Sequence, residues 1–143
     1  MRSSKNKRQG FSLIEMVIVI LILGIIAAVT APRMFDTATK AEKNSTKQQL
    51  SILRNAIEMY RAEAGFYPPN GELEEALKLA LNGPFPVPQF GNAKNKAGVY
   101  YDGGSDSSVD VSTSPSATQG WAYRPADGRL KLNVSNGDES FNW

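Results

Sequence analysis

Residues 7–32 read KRQGFSLIEMVIVILILGIIAAVTAP. From Phe11 to Ala31 there are twenty-one residues, and Glu15 is the only charged one among them. About 20 apolar residues at 1.5 Å each match the ~30 Å hydrocarbon layer of a bilayer. The run carries no polar stripe at helical spacing, so its helix is greasy all round and belongs in lipid or in a bundle of helices. A carboxylate at that depth costs roughly several kcal/mol, so Glu15 needs a reason to be there.

Working outward toward the start, Arg2, Lys5, Lys7 and Arg8 precede the run with no acid among them. Basic residues stay on the cytoplasmic side, which sends the later part of the chain outward. Two simpler readings are a secretory signal peptide and a plain single-span anchor. The apolar run is too long for a usual signal peptide, and Ala27-Ala28 and Thr30-Ala31 are only weak cleavage sites. A plain anchor leaves Glu15 unexplained.

Composition narrows the rest. The chain has 143 residues with no Cys and no His. Disulfides, thiolate metal sites, the commonest general base and the commonest transition-metal ligand are therefore excluded. Four of the sixteen Lys and Arg lie in the first ten residues, which leaves twelve basic residues against fourteen acidic ones in the remainder. Without that leader the chain is mildly acidic, and no basic surface points to nucleic acid as a partner.

The stretch KRQGFSLIEMVIVILILGIIAAVTAP resembles the class III signal and N-terminal helix of type IV pilins and type II secretion pseudopilins. The likeness is specific over residues 5 to about 40 and architectural beyond. It implies cleavage by a prepilin peptidase between Gly10 and Phe11, with Phe11 then N-methylated. Glu15 becomes the fifth residue of the mature chain, and Gly24 and Pro32 fall at the family's helix-bending positions. Residues 1–10 are then a cleaved basic leader, 11–32 a transmembrane and assembly segment, and 33–143 a soluble pilin-like domain. The implied setting is the inner membrane, single-pass with the C-terminal domain in the periplasm, before incorporation into a homo-oligomeric filament. The implied partners are membrane lipid before assembly, an inner-membrane platform with its assembly ATPase, and minor pseudopilins.

Physics gives Glu15 a role in that setting. Cleavage after Gly10 would create an amine on Phe11, one helical turn from the Glu15 carboxylate. In a filament the carboxylate can pair with the amine of a neighbouring subunit. A wrong register would bury an unpaired charge, so Glu15 reads as a registry device. The bland alternative is an interfacial Glu that reaches the headgroups. Pro32 removes a backbone donor and Gly24 weakens the same stretch, so a loosened segment or kink is expected between them. The resemblance implies that this segment melts in the filament.

Past Pro32, Leu50, Leu53, Ile57, Tyr60 and Ala64 recur at spacings of three and four, one face of an amphipathic helix ending at Gly65. Lys47, Arg54, Glu58 and Arg61 fall on the opposite face. Residues 72–81 read as a short helix with Asn70 as a possible cap and Asn82-Gly83 as a stop. The Pro-rich stretch GPFPVPQFGNAKN is excluded from a central strand. Strands are expected at 98–101, 120–124 and 129–134, with Pro125-Ala126-Asp127-Gly128 as a hairpin turn. The expected fold is α+β: a pilin fold, a long N-terminal helix packed against a small antiparallel sheet.

Between the first two strands lies DGGSDSSVDVSTSPSATQ, a Ser, Gly and Asp-rich loop expected to be mobile. Asp102, Asp106 and Asp110 supply hard oxygen ligands of the kind that suits Ca²⁺. The resemblance supports this, since major pseudopilins hold Ca²⁺ in loops of this region. Against it, the spacing is not that of an EF-hand, and the Asp-Pro-Trp-Gly element of those proteins is missing. An ordinary solvated loop is the favoured reading.

No Ser-His or Cys-His pair is possible, and Glu72, Glu74 and Glu75 sit on a surface helix, so the chain reads as a structural subunit rather than an enzyme. The expected function is a subunit of a type II secretion pseudopilus. A type IV pilus subunit for adhesion, motility or DNA uptake is the alternative, and a single-span anchored periplasmic enzyme a remote one.

Overall fold

The computed structural model describes residues 10–143. The basic residues Arg2, Lys5, Lys7 and Arg8 lie outside the described residues. The chain divides into two compact units, one up to Ala38 and one spanning Thr39–Trp143. The main helix, α1, is Leu13–Ala64 and contributes to both.

In the first unit every side chain from Phe11 to Ala38 is exposed. Among the described residues, α1 alone is long and apolar enough to cross a membrane. The sequence put a loosened turn or kink between Gly24 and Pro32, but α1 continues as helix through both. Proline still removes a donor, so the Ala28 carbonyl loses its normal partner four residues on. Two hydroxyls bond back onto the helix on either side: Thr30 Oγ1 donates to the Ile26 carbonyl and Thr37 Oγ1 to the Arg33 carbonyl, both at 2.8 Å.

In the second unit α1 buries Thr46, Leu50, Leu53 and Ile57, a stripe with steps of three and four, together with Ala56 beside it. Tyr60 is half-buried, whereas Ala64, expected on the same face, is exposed. Gly65 ends the helix at φ 82°, its N–H donating to the Arg61 carbonyl at 2.8 Å. That left-handed geometry favours glycine.

Residues 72–81 form two single turns, α2 (Leu73–Ala76) and α3 (Lys78–Leu81), rather than one helix. Glu72, not Asn70, takes the cap position, without a side-chain bond. Asn82 closes α3 in a left-handed conformation, the stop the sequence indicated.

Three strands follow: β1 (Gly98–Tyr101), β2 (Gln119–Arg124) and β3 (Arg129–Leu132), in that spatial order. The hairpin between β2 and β3 is antiparallel, pairing Trp121 with Leu132 and Tyr123 with Leu130. The expectation of an all-antiparallel sheet is corrected at β1, which pairs with β2 in parallel. Parallel neighbours need a connection of about a dozen residues or more. Residues 102–118 provide it, running back so that β2 starts at the same end as β1.

Trp121, Tyr123, Leu130 and Leu132 point inward and share one core with Leu50, Leu53, Ile57, Leu73 and Leu77. Each such side chain contributes roughly 1.5–3 kcal/mol when fully buried. Two polar tips are satisfied within this packing. Trp121 Nε1 donates to the Pro86 carbonyl (2.8 Å), and the Tyr123 hydroxyl donates to the Pro68 carbonyl (2.9 Å). The outer face of the hairpin is also covered: Ala122, Arg124, Lys131 and Asn133 are buried. What covers it is the 102–118 connection. The class is therefore α+β, as expected, with a mixed three-stranded sheet.

Candidate functional site

The sequence-predicted residues fall into two groups, one in each unit. Gly10, Phe11 and Glu15 lie together where α1 starts. Gly10 is exposed and irregular, with open space around its α-carbon, and Phe11 is 79% exposed, so the peptide bond joining them is accessible. Glu15 is at the third helical position, and its Oε2 accepts the Ser12 backbone N–H at 2.9 Å. The Ser12 carbonyl in turn accepts the Met16 N–H. This is one half of a capping box, in which a carboxylate satisfies a backbone donor that the first helical turn leaves open. The signal, S-x-x-E at 12–15, is in the sequence but is masked by the more conspicuous oddity of a charge in an apolar run. Further along, Gly24 and Ala28 form a notch flanked by Val17, Ile20, Leu21 and Ile25. Small residues at such a spacing let helices approach closely in a membrane or bundle.

In the second unit the structure does not bring Asp102, Asp106 and Asp110 together. Among the described residues no group of three Asp, Glu, His or Cys is placed to hold a metal ion. Each carboxylate has its own donors. Asp102 is buried; its Oδ2 accepts from Arg124 Nε (2.8 Å) and Ser112 N–H (3.0 Å), and its Oδ1 from Gly104 N–H (3.0 Å). Asp106 Oδ1 accepts from the Ser108 N–H and hydroxyl. Asp110 accepts from Lys131 Nζ (2.7 Å) and the Val111 N–H (2.8 Å).

Sequence reasoning missed Arg124, on which this loop closes. Its side chain is 2% exposed. Nη1 donates to the carbonyls of Asp106 (3.0 Å) and Val109 (2.8 Å) and to Asp127 Oδ2 (3.3 Å), and Nη2 to the Asp110 carbonyl (2.6 Å). Burial alone would raise the Asp102 carboxyl, but the N–H groups of Ser112 and Gly104 and the Arg124 guanidinium outweigh it and hold it below the ordinary range. Burial works against the Arg124 charge as well, and Asp102 and Asp127 more than restore it. Lys131 holds the Asp110 carboxyl down. The loop is thus pinned to the sheet rather than simply solvated. The signal available in sequence was an arginine on the outer phase of an apolar strand, opposite a run of acids.

Lys47, Arg54, Glu58 and Arg61 are all exposed, as expected, and Arg54 in addition reaches the sheet and the C-terminus. Its guanidinium donates to the Leu130 carbonyl (3.0 and 2.8 Å) and the Trp143 carbonyl (2.9 Å).

The N-terminal helix with its preceding Gly10–Phe11 junction is of a recognised class: residues 5–31 match the family described as Prokaryotic N-terminal methylation motif. Residues 33–113 match the family Type II secretion system (T2SS), protein G, and the chain belongs to that family. Similar proteins include the type II secretion system core protein G of Aeromonas hydrophila, 32% identical over 85 residues, covering 59% of this chain and 57% of that one. The core protein G of Vibrio cholerae is 32% identical over 81 residues, covering 57% and 56%. That of Escherichia coli K12 is 32% identical over 72 residues, half of each chain. The chain spans about half the length of the curated relatives it matches. No solved structure matches it significantly.

Proposed function

We propose that this chain is a pseudopilin, the structural subunit of a type II secretion pseudopilus. A prepilin peptidase cuts between Gly10 and Phe11, and Phe11 is N-methylated. Residues 11–32 hold the subunit in the inner membrane, with residues 33–143 in the periplasm. An assembly platform and its ATPase then transfer subunits from lipid into a filament that includes minor pseudopilins. In the filament, Glu15 pairs with the Phe11 amine of a neighbour and fixes the register, while Gly24 and Pro32 let the segment between them give as helices pack.

The observation that carries this reading is the first part of α1. Residues 11–31 are apolar on every face and exposed throughout, and their only charged residue, Glu15, lies about one turn from the Gly10–Phe11 bond. Such a surface demands lipid or copies of itself. Membership in the protein G family favours secretion over a surface pilus. The test is deletion of the gene followed by complementation. The reading expects loss of proteins from the culture medium, restored by the wild-type chain, with surface motility intact. Intact secretion with lost motility would identify a pilus subunit instead.

A further inference from the structure

The family resemblance implies a Ca²⁺ site in the loop after β1, and the donors of this chain do not fit one. Ca²⁺ takes six to eight oxygen ligands at 2.3–2.6 Å. The oxygens here that converge on a point are Asp102 Oδ2, Asp127 Oδ2 and the carbonyls of Asp106, Val109 and Asp110. The point they converge on is the Arg124 guanidinium. A second contact, Arg124 Nη2 to Asp102 Oδ2 at 2.8 Å, completes the set. Arginine has five N–H donors in a fixed fork, and all three of its nitrogens are engaged here.

Neighbouring cations take the oxygens that remain. Arg129 donates to the Ser107 carbonyl (2.6 Å) and the Val109 carbonyl (3.3 Å) and pairs with Asp127 (3.3 Å). Lys131 takes Asp110. Around the loop, Asp102, Asp106, Asp110 and Asp127 face Arg124, Arg129 and Lys131, so little negative charge is left to attract a dication. A metal at the centre would have to displace a buried guanidinium and leave it unpaired, at great cost.

We infer that Arg124 is the resident cation of this loop, built into the chain in place of a metal, and that folding and assembly of this pseudopilin do not require calcium. The guanidinium collects carbonyls from three residues of the loop, ties them to β2, and keeps the connection on the outer face of the sheet. The arrangement forms with the fold and does not respond to chelators or to the calcium level outside the membrane.

The test uses the full chain in detergent micelles. Thermal unfolding is followed by the near-ultraviolet signal of its tryptophans, in millimolar calcium and in excess chelator, beside a titration with terbium(III) as a luminescent calcium probe. Wild-type protein is expected to melt at the same temperature in both buffers and to show no saturable terbium signal. A higher midpoint in calcium, or saturable terbium luminescence abolished by Asp102→Asn, would overturn the inference. Arg124→Gln is expected to melt lower by the same amount in both buffers, and an unchanged midpoint would show that the guanidinium does not hold the loop. If that variant fails to fold, Asp102→Asn carries the same test. A drop equal in both buffers supports the inference, and a drop confined to the calcium buffer makes Asp102 a metal ligand and refutes it.

Discussion

The Glu15 carboxylate accepts the Ser12 backbone N–H at 2.9 Å, closing the first turn of α1. The isolated chain therefore already gives this charge a partner, the residue just before its own helix. Pairing with a neighbour's amine would exchange that bond for a stronger, charge-assisted one.

Glu15→Leu is expected to leave insertion intact or improved, since it removes the single charge from the apolar run. The cap bond is lost, at roughly 0.5–2 kcal/mol of helix stability by analogy with other caps. Assembly suffers more, because each buried Phe11 amine would then lack its counter-ion. Membrane fractions should contain processed protein, while sheared-filament preparations with this variant as the only subunit should be empty. Filaments at wild-type yield would show that the carboxylate sets no register.

Acid should loosen the second unit through its Asp102 pair. The folded Asp102 carboxyl sits below its ordinary value of 3.8. A depressed folded value means that its stabilisation is complete above about pH 4 and is lost as pH falls through the folded value. Melting temperature should fall as pH drops below about 4, and Asp102→Asn, less stable throughout, should show a shallower acid limb. An identical acid limb in variant and wild type would assign the sensitivity to other carboxyls.

Gly128 has φ 71° in the β2–β3 turn, and a Cβ built there would overlap the Tyr67 ring. Tyr67 is held in turn by Arg61, whose Nη1 donates to its hydroxyl at 2.7 Å. Gly128→Ala should therefore cost the left-handed penalty of about 1–2 kcal/mol plus displacement of the ring. For a domain of this size that corresponds to a fall of roughly 5–15 °C in melting temperature, measurable by calorimetry. A shift under about 2 °C would mean that the turn relaxes freely.

Deleting residues 1–33 should leave a soluble monomer that unfolds cooperatively. The buried stripe from Thr46 to Ile57 and its partners in the sheet all lie in the Thr39–Trp143 unit. Sedimentation and a thermal melt check this, and aggregation or a broad non-cooperative melt would contradict it.

Local signals carried well from sequence to structure. Strand β1 falls where the apolar run 98–101 put it, and Asn82 and Gly65 stop their helices in left-handed geometry. The signals that failed are long-range. Strand pairing direction depends on the path of residues 102–118, and Arg124, which holds that path, is 14 to 22 residues from its partners there and on the far face of a strand. An Asp at every fourth position says nothing about which cation it will meet, so metal and guanidinium look alike in the sequence. Arg54 lies on the exposed face that periodicity gives it, but periodicity does not show that its long side chain also bends back to the Leu130 and Trp143 carbonyls. The N-terminal motif, matched over residues 5–31, was legible because it is contiguous.

Methylation and assembly both depend on cleavage at the Gly10–Phe11 bond, and intact-mass spectrometry of the chain recovered from cells carrying its prepilin peptidase tests that cleavage directly. The expected species starts at Phe11, lacks residues 1–10 and carries one added methyl group on the new amine. Gly10→Val should keep the leader, because only a small residue suits the position before the cut. A wild-type chain that retains its leader, or one cut near Ala28 or Ala31, would show that the Gly10–Phe11 bond is not the processing site.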